Sequence, residues 1–212
     1  MVKVKICGIT NLEDALVAVG AGADALGFVF YEKSPRYISL EEAVAIDRRI
    51  PKKIKKIGVF VNEKQEKIKE VAKALGLYAM QFHGDESIDF CSQFKGYRII
   101  KAIRLKDKSD LKDVFSYPVW GILFDSYQPW QFGGTGQTFD WSWLKGLKLK
   151  DKLLFISGGL NAENVVEAIR IIRPDWVDVS SSLEICPGKK NPEAIRMFVQ
   201  VAKKVKLPER PS

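Results

Sequence analysis

Hydrophobic positions along the chain fall into short, β-branched runs that alternate with longer amphipathic segments from one end of the sequence to the other. Eight runs predict strands, at residues 2–7, 25–30, 57–61, 78–82, 98–103, 120–124, 153–156 and 176–179. Their centres lie about 20 to 30 residues apart, which leaves room for one helix after each strand. The pattern therefore predicts an α/β protein in which one face of each helix covers a sheet.

Several predicted helices begin at residues whose side chains accept hydrogen bonds from the N–H groups of a first helical turn. Thr10 and Ser39 each stand three residues before a glutamate, which is the spacing of a capping box. Asn191 precedes Pro192, and proline is favoured at the first helical position. Asn62 is a similar cap for the helix of the third unit.

The chain has no Gly/Ser-rich or Pro-rich linker, so we predict one domain over residues 1–206 and a C-terminal tail over residues 207–212. Eight β–α units fit either a closed barrel or an open doubly wound sheet, and a GxGxxG turn after the first strand would favour the sheet. Because that turn is missing, we predict a single-domain (β/α)8 barrel of the TIM type.

The composition, with 46% hydrophobic and 28% charged residues, is typical of a soluble globular protein. No run of about 18 apolar residues predicts a membrane span, and the N-terminus does not resemble a signal peptide, so we expect a cytoplasmic protein. The net charge of +8 is spread over predicted helix surfaces, and we expect no nucleic-acid partner. Three cysteines without a CxxC pair and a single histidine predict neither a disulfide framework nor a zinc site. The oligomeric state stays open between monomer and homodimer.

In a β/α barrel the reacting groups lie where strands end and loops to helices begin. The polar side chains at these points are Cys7, Arg36, His83, Asp125, Asp178, Ser180 and Ser181. The glycines at these points are Gly133, Gly134, Gly158 and Gly159. Glycine lets backbone amides approach an anion closely, and the loops after strands seven and eight are the usual phosphate site of such barrels. The pattern therefore predicts a small phosphorylated ligand.

Four of these side chains have two interpretations each. Cys7 is either a small buried hydrophobe or a thiol whose pKa is lowered in an electropositive setting, so that it can remove a proton from carbon. Asp125 is either a general acid, flanked by apolar residues that raise its pKa, or a helix cap. Arg36 either clamps a substrate carboxylate or pins its loop to a neighbouring acid. His83 is either a hydrogen-bonded structural residue or a ligand contact.

Taken together, seven segments resemble the phosphoribosylanthranilate isomerase family of tryptophan biosynthesis, in order and at compatible spacing from residue 3 to about residue 190. The segments are Lys5-Ile6-Cys7-Gly8-Ile9-Thr10, Ser34-Pro35-Arg36-Tyr37, Gln81-Phe82-His83-Gly84, Phe124-Asp125-Ser126, Gly133-Gly134-Thr135-Gly136, Ser157-Gly158-Gly159-Leu160 and Val177-Asp178-Val179-Ser180-Ser181. Each segment alone is weak evidence for the family, but the seven segments together are specific to it.

The resemblance implies an aldose–ketose isomerase that performs an Amadori rearrangement without metal or organic cofactor. It implies Cys7 as the general base, Asp125 as the general acid and Arg36 as the site for the anthranilate carboxylate. Amides near Gly134, Gly159, Ser180 and Ser181 would hold the phosphate.

The chain departs from the family at Ser182, where glycine is usual, and a serine there would be strained if the position needs a positive φ. Two other functions remain open. One is the related phosphosugar isomerase of histidine biosynthesis, which has an aspartate where Cys7 stands. The other is a non-catalytic barrel that binds phosphate ligands or RNA.

Overall fold

The computed structural model describes residues 1–126 and 138–207. Its eight parallel strands close into one barrel in sequence order, which confirms the predicted fold. The strands are β1 Lys3–Cys7, β2 Ala25–Val29, β3 Lys55–Phe60, β4 Ala79–Phe82, β5 Ile99–Leu105, β6 Gly121–Ser126, β7 Leu153–Ile156 and β8 Trp176–Val179. Within the described ranges, no helix is long and apolar enough to cross a membrane.

The outer layer of the barrel is uneven. The α-helices are α1 Leu12–Gly20, α2 Leu40–Asp47, α3 Gln65–Leu75, α4 Ile88–Ser92, α5 Val165–Ile172 and α6 Pro192–Lys204. Short 3₁₀ helices follow β5, at Lys108–Leu111 and Val114–Ser116, and β6, at Trp141–Leu144. The expectation of one α-helix after every strand is therefore wrong after β5, where the described chain has only these short turns. After β8, a 3₁₀ turn at Ser181–Leu183 leads into an antiparallel hairpin of β9 Glu184–Cys186 and β10 Lys189–Lys190.

The predicted helix starts are confirmed at two positions and wrong at two others. Ser39 forms a complete capping box at α2, and Asn191 caps α6 with proline in the first turn. At α1 the cap is Asn11, which accepts the N–H of Asp14, so Thr10 does not cap the helix. Asn62 does not cap α3, because its side chain accepts the N–H of Asp85 from a neighbouring loop.

The interior of the barrel is apolar at its amino-terminal end. Because side chains alternate across a strand, every second residue of each strand faces inward. The inward residues Ala25, Ile57, Ala79, Ile100, Ala102, Leu123, Phe155 and Trp176 form a hydrophobic cluster separate from the one under the helices. The rings of Phe155 and Trp176 stack in it with centroids 5.3 Å apart. This floor closes one end of the barrel, so polar inward side chains lie above it, toward the carboxyl ends of the strands.

Candidate active site

Cys7 is the last residue of β1 and faces the inside of the barrel mouth. It is buried, and its Sγ lies 3.2 Å from the Nζ atom of Lys5 on the same strand. Burial raises the pKa of the Cys7 thiol above its ordinary value, although Lys5 acts in the opposite direction. The setting is thus electropositive, as one of the two interpretations of Cys7 proposed, but the pKa is not lowered, because removing the thiolate from water has the larger effect.

Lys5 is a central residue of this mouth that the sequence analysis did not single out. Its side chain is fully buried, and Nζ donates to Asp178 Oδ2 at 2.8 Å and to Gln81 Oε1 at 2.7 Å. Burial alone lowers the pKa of Lys5, but Asp178 and Cys7 together raise it above its ordinary value. A lysine two residues before the candidate base, and so on the same face of the strand as Cys7, is the signal that would have found it.

Asp125 lies in β6 and shares the mouth with Cys7. Its carboxylate is buried, and Oδ2 lies 3.0 Å from His83 Nε2. The other ring nitrogen, Nδ1, lies 2.7 Å from Gln81 Nε2. Hydrogen bonds therefore run without interruption from the thiol of Cys7 through Lys5 to the carboxylate of Asp125. His83 is a hydrogen-bonded residue of the site, and direct contact with a ligand stays a prediction.

Asp178, on β8, has one oxygen bound to Lys5 and the other without a partner. The atom Oδ1 is buried and has no hydrogen-bond partner among the described residues. Burial raises the pKa of Asp178 above its ordinary value, although Lys5 acts to lower it. A buried, unpaired carboxylate oxygen is costly and is a candidate acceptor for a donor that arrives with a ligand.

Arg36 is held by an acid that the sequence analysis also missed. Its Nε and Nη2 atoms each donate to Glu184 of the β9–β10 hairpin at 2.8 Å, and Glu184 also accepts from Lys190 at 2.8 Å. Burial alone raises the pKa of Glu184, but Arg36 and Lys190 lower it below its ordinary value. Arg36 is thus paired with a neighbouring acid, as one of its two interpretations expects, and its contact with a substrate carboxylate stays a prediction.

The glycine turn after β7 lies against the candidate acid. Gly158 and Gly159 both have positive φ, 81° and 62°. A Cβ atom at Gly158 would stand 2.6 Å from the backbone N of Ser126 and 2.8 Å from Asp125 Oδ1, so no other residue fits there without displacement. The turn is therefore packed closely against Oδ1 of Asp125, which also accepts the backbone N–H of Ser126 at 2.8 Å. Gly133 and Gly134 lie outside the described residues.

The serines after β8 lie beside the candidate base. Ser180 Oγ donates to the backbone carbonyl of Cys7 at 3.1 Å. Ser181 begins the 3₁₀ turn, and Ser182 lies within it, where its hydroxyl donates to the carbonyl of Leu160. Because Ser182 has no positive φ, the strain considered for a serine at this position is absent.

Gly27, opposite Cys7 in the β1–β2 register, sets the space for the candidate base. A Cβ atom at this position would stand 2.7 Å from Cys7 Sγ and 2.8 Å from Lys5 Cε. We expect Gly27→Ala to lower the free energy of unfolding by about 1–3 kcal/mol, because the barrel interior is overpacked. It should also lower kcat, because Cys7 and Lys5 are pushed apart. Chemical denaturation and steady-state kinetics measure the two effects, and unchanged kcat would contradict the packing argument. Gly20→Ala is the control, since a Cβ atom there meets nothing within 4 Å.

The closed barrel and the polar side chains gathered at the carboxyl ends of its strands define the class: a (β/α)8-barrel enzyme. The family model for N-(5'-phosphoribosyl)anthranilate (PRA) isomerase matches residues 4–201, and the chain belongs to this family. It is 50% identical over 206 residues to the N-(5'-phosphoribosyl)anthranilate isomerase of Pelobacter propionicus, covering 97% of this chain and 98% of that protein.

Solved structures agree with this assignment. The crystal structure of phosphoribosyl anthranilate isomerase from Thermotoga maritima is 48% identical, with a TM-score of 0.90, and the match covers 97% of this chain and all of that one. A phosphoribosyl anthranilate isomerase in complex with reduced 1-(o-carboxyphenylamino)-1-deoxyribulose 5-phosphate is 46% identical, with a TM-score of 0.87 and 97% of this chain covered. The fold, the family and the enzyme class predicted from the sequence are therefore confirmed.

Proposed function

We propose that this chain converts N-(5'-phosphoribosyl)anthranilate to 1-(2-carboxyphenylamino)-1-deoxyribulose 5-phosphate, with Asp125 as general acid and Cys7 as general base. One observation supports the pairing of these two groups: they face the same mouth and are joined by one chain of hydrogen bonds. Membership of the isomerase family and the relative solved with a reduced form of the product support the choice of substrate.

The first step opens the sugar ring. Asp125 gives its proton to the furanose ring oxygen, the bond between that oxygen and C1 breaks, and the nitrogen lone pair forms a C1=N iminium ion. A carboxylic acid buried at a barrel mouth suits this role, because the proton is transferred in a site shielded from water.

The second step moves the hydrogen from C2. The iminium cation makes the C2 hydrogen acidic, and the thiolate of Cys7 takes that proton, so that the C2–H electrons form the C1=C2 bond of an enolamine. The enolamine then gains a proton at C1 and loses the one on the C2 hydroxyl, which yields the ketone. Atoms balance throughout, since the reaction is an isomerisation, and one acid and one base suffice.

Substrate anchors surround these two groups. Glu184 accepts hydrogen bonds from Nε and Nη2 of the Arg36 guanidinium. The anthranilate carboxylate would therefore bind at the remaining nitrogen, Nη1. The unpaired Oδ1 of Asp178 would accept a hydrogen bond from a ribose hydroxyl.

Phosphate binding would use backbone amides beyond strands β7 and β8. The proposed donors are Gly158, Gly159, Ser180 and Ser181, together with Gly133 and Gly134. Holding both ends of the substrate fixes the sugar between acid and base, and such positioning contributes several kcal/mol to catalysis, up to about 7–11 in favourable cases.

A fluorescence assay that follows the disappearance of phosphoribosylanthranilate tests the function directly. We expect saturable turnover with the purified chain and none with boiled protein. A parallel assay offers the protein the aminoimidazole substrate of histidine biosynthesis under the same conditions. Turnover of that substrate alone, or salt-sensitive RNA binding without any turnover, would contradict the proposal.

A further inference from the structure

A buried polar chain connects the two proposed reactive groups. Lys5, Gln81 and His83 lie between the thiol of Cys7 and the carboxylate of Asp125, and every link is between 2.7 and 3.2 Å long. The three connecting residues are at most 7% exposed. Neither the acid step nor the base step uses any of these three residues, so their presence between the two groups needs its own explanation.

The chemistry of Lys5 fixes the direction of the first links. An ammonium group has three N–H donors and no acceptor. All three donors of Lys5 are used, by Cys7 Sγ, Asp178 Oδ2 and Gln81 Oε1. The oxygen of the Gln81 amide must therefore face Lys5, because its NH₂ group would meet a second donor there.

The same logic fixes the tautomer of His83. With its oxygen toward Lys5, Gln81 presents its NH₂ group to His83 Nδ1. That nitrogen must accept, so it carries no proton, and the ring is neutral with its proton on Nε2. Nε2–H then donates to Asp125 Oδ2.

We propose that Lys5 is a positioning residue for both reactive groups, on the roles assigned to Cys7 and Asp125 above. Its ammonium supports the thiolate of Cys7 directly. Through Gln81 it holds His83 as the Nε2–H tautomer, which occupies Oδ2 of Asp125. The Asp125 carboxyl group is thereby held through both oxygens, since Oδ1 accepts the backbone N–H of Ser126 at 2.8 Å.

The chain positions groups but does not carry protons between them. A neutral amide does not readily take up a proton at oxygen and release one from nitrogen, so Gln81 interrupts any transfer from Cys7 to Asp125. The two groups therefore exchange protons separately with substrate or water after each turnover. Lys5 links them by orientation and charge alone.

The charges that face Cys7 decide what removing Lys5 would do. Besides Lys5, the thiol faces Asp178 from β8 and Lys190 from the β9–β10 hairpin. Loss of the Lys5 ammonium leaves the Asp178 carboxylate without its partner, and both changes disfavour the thiolate. The rise of kcat/KM with pH that follows formation of the thiolate, here called the alkaline limb, should then move to higher pH.

Histidine NMR tests the tautomer without any variant, because His83 is the single histidine of the chain. In ¹⁵N-histidine-labelled wild-type protein we expect one neutral imidazole at neutral pH, protonated at Nε2. An Nδ1–H tautomer or an imidazolium ion would overturn the proposal. The result does not depend on turnover, so an inactive protein with the expected tautomer would count against the proposed function and not against this inference.

Variants then test whether Lys5 is the cause. In Lys5→Met we expect both tautomers of His83 to appear, kcat to fall roughly 100-fold, and the alkaline limb to move upward. Gln81→Glu offers an acceptor to Nδ1, so that nitrogen should become protonated, which keeps the test decisive if Lys5→Met does not fold. An unchanged tautomer in both variants would overturn the proposal.

Lys101→Met is the matched control. Lys101 is a similarly buried strand lysine that pairs with Glu86 at 2.9 Å and donates to the carbonyl of Gly84, but it contacts no side chain of the polar chain. Its loss should lower stability as the loss of Lys5 does, while the His83 tautomer and the position of the alkaline limb stay as in the wild type. A control that changes the tautomer as much as Lys5→Met would show a general packing effect and so overturn the specific role of Lys5.

Discussion

Replacement of Cys7 by serine is expected to lower kcat by about 10²- to 10⁴-fold while leaving the fold intact. Serine has nearly the same shape and keeps a hydrogen bond to Lys5, but its hydroxyl is far too weak an acid to supply an anion as base. Stopped-flow or steady-state fluorescence kinetics measures the fall in kcat, and circular dichroism with thermal unfolding checks the fold.

The pH profile gives this prediction a second readout. Burial raises the pKa of Cys7 above its ordinary value, Lys5 acts against this and Asp178 adds to it. Because the thiolate is the active form, kcat/KM of the wild type should rise with pH on the alkaline side, and Cys7→Ser should lack that limb.

Another cysteine supplies the control for the kinetic measurement and the pH profile. Cys186 is exposed, so Cys186→Ser should keep both the wild-type rate and the limb. Near wild-type turnover in Cys7→Ser would eliminate Cys7 as the base.

Replacement of Asp125 by asparagine is the second change with a large expected effect, again a fall in kcat of about 10²- to 10⁴-fold. The amide has the shape of the acid and can still accept from His83 Nε2 through its oxygen. It has no proton to give to the ring oxygen, so ring opening is left to water. Single-turnover kinetics with excess enzyme separates this chemical step from substrate binding and product release.

Asp24→Asn is the control for loss of a carboxylate. Asp24 precedes β2 at the opposite end of the barrel, where it accepts the N–H of Val4 at 2.7 Å. Its replacement should lower thermal stability and leave kcat near that of the wild type. If Asp125→Asn lowered stability alone, with kcat unchanged, Asp125 would be a structural residue and not the acid.

The strands and the residues at their ends were predictable because both depend on local pattern. Period-2 alternation and β-branched runs are properties of a few neighbouring residues, and parallel strands bring their carboxyl ends to one edge. That placed Cys7 and Asp125 at a common mouth before any coordinates. Helix starts were less predictable, since Asn62 has a partner in a neighbouring loop that its own segment does not indicate.

The partners of the site residues were beyond sequence reasoning. Lys5 meets Gln81 and Asp178 across separations of 76 and 173 residues, and Arg36 meets Glu184 across 148. Such pairs depend on barrel closure and on side-chain directions, which no local window contains. For the same reason the sequence could not decide between the two interpretations of Cys7, because it does not show how deeply the thiol is buried.

The ion pair of Lys5 with Asp178 has an energetic consequence for the whole barrel. Withdrawing two charges from water costs more than their mutual attraction often returns, and well-packed apolar replacements of buried pairs have stabilised other proteins by about 1–4 kcal/mol. A more heat-resistant form of this protein is therefore better sought by changing surface residues. Apolar replacements inside the barrel would raise its stability, but they would remove side chains that the proposed reaction uses.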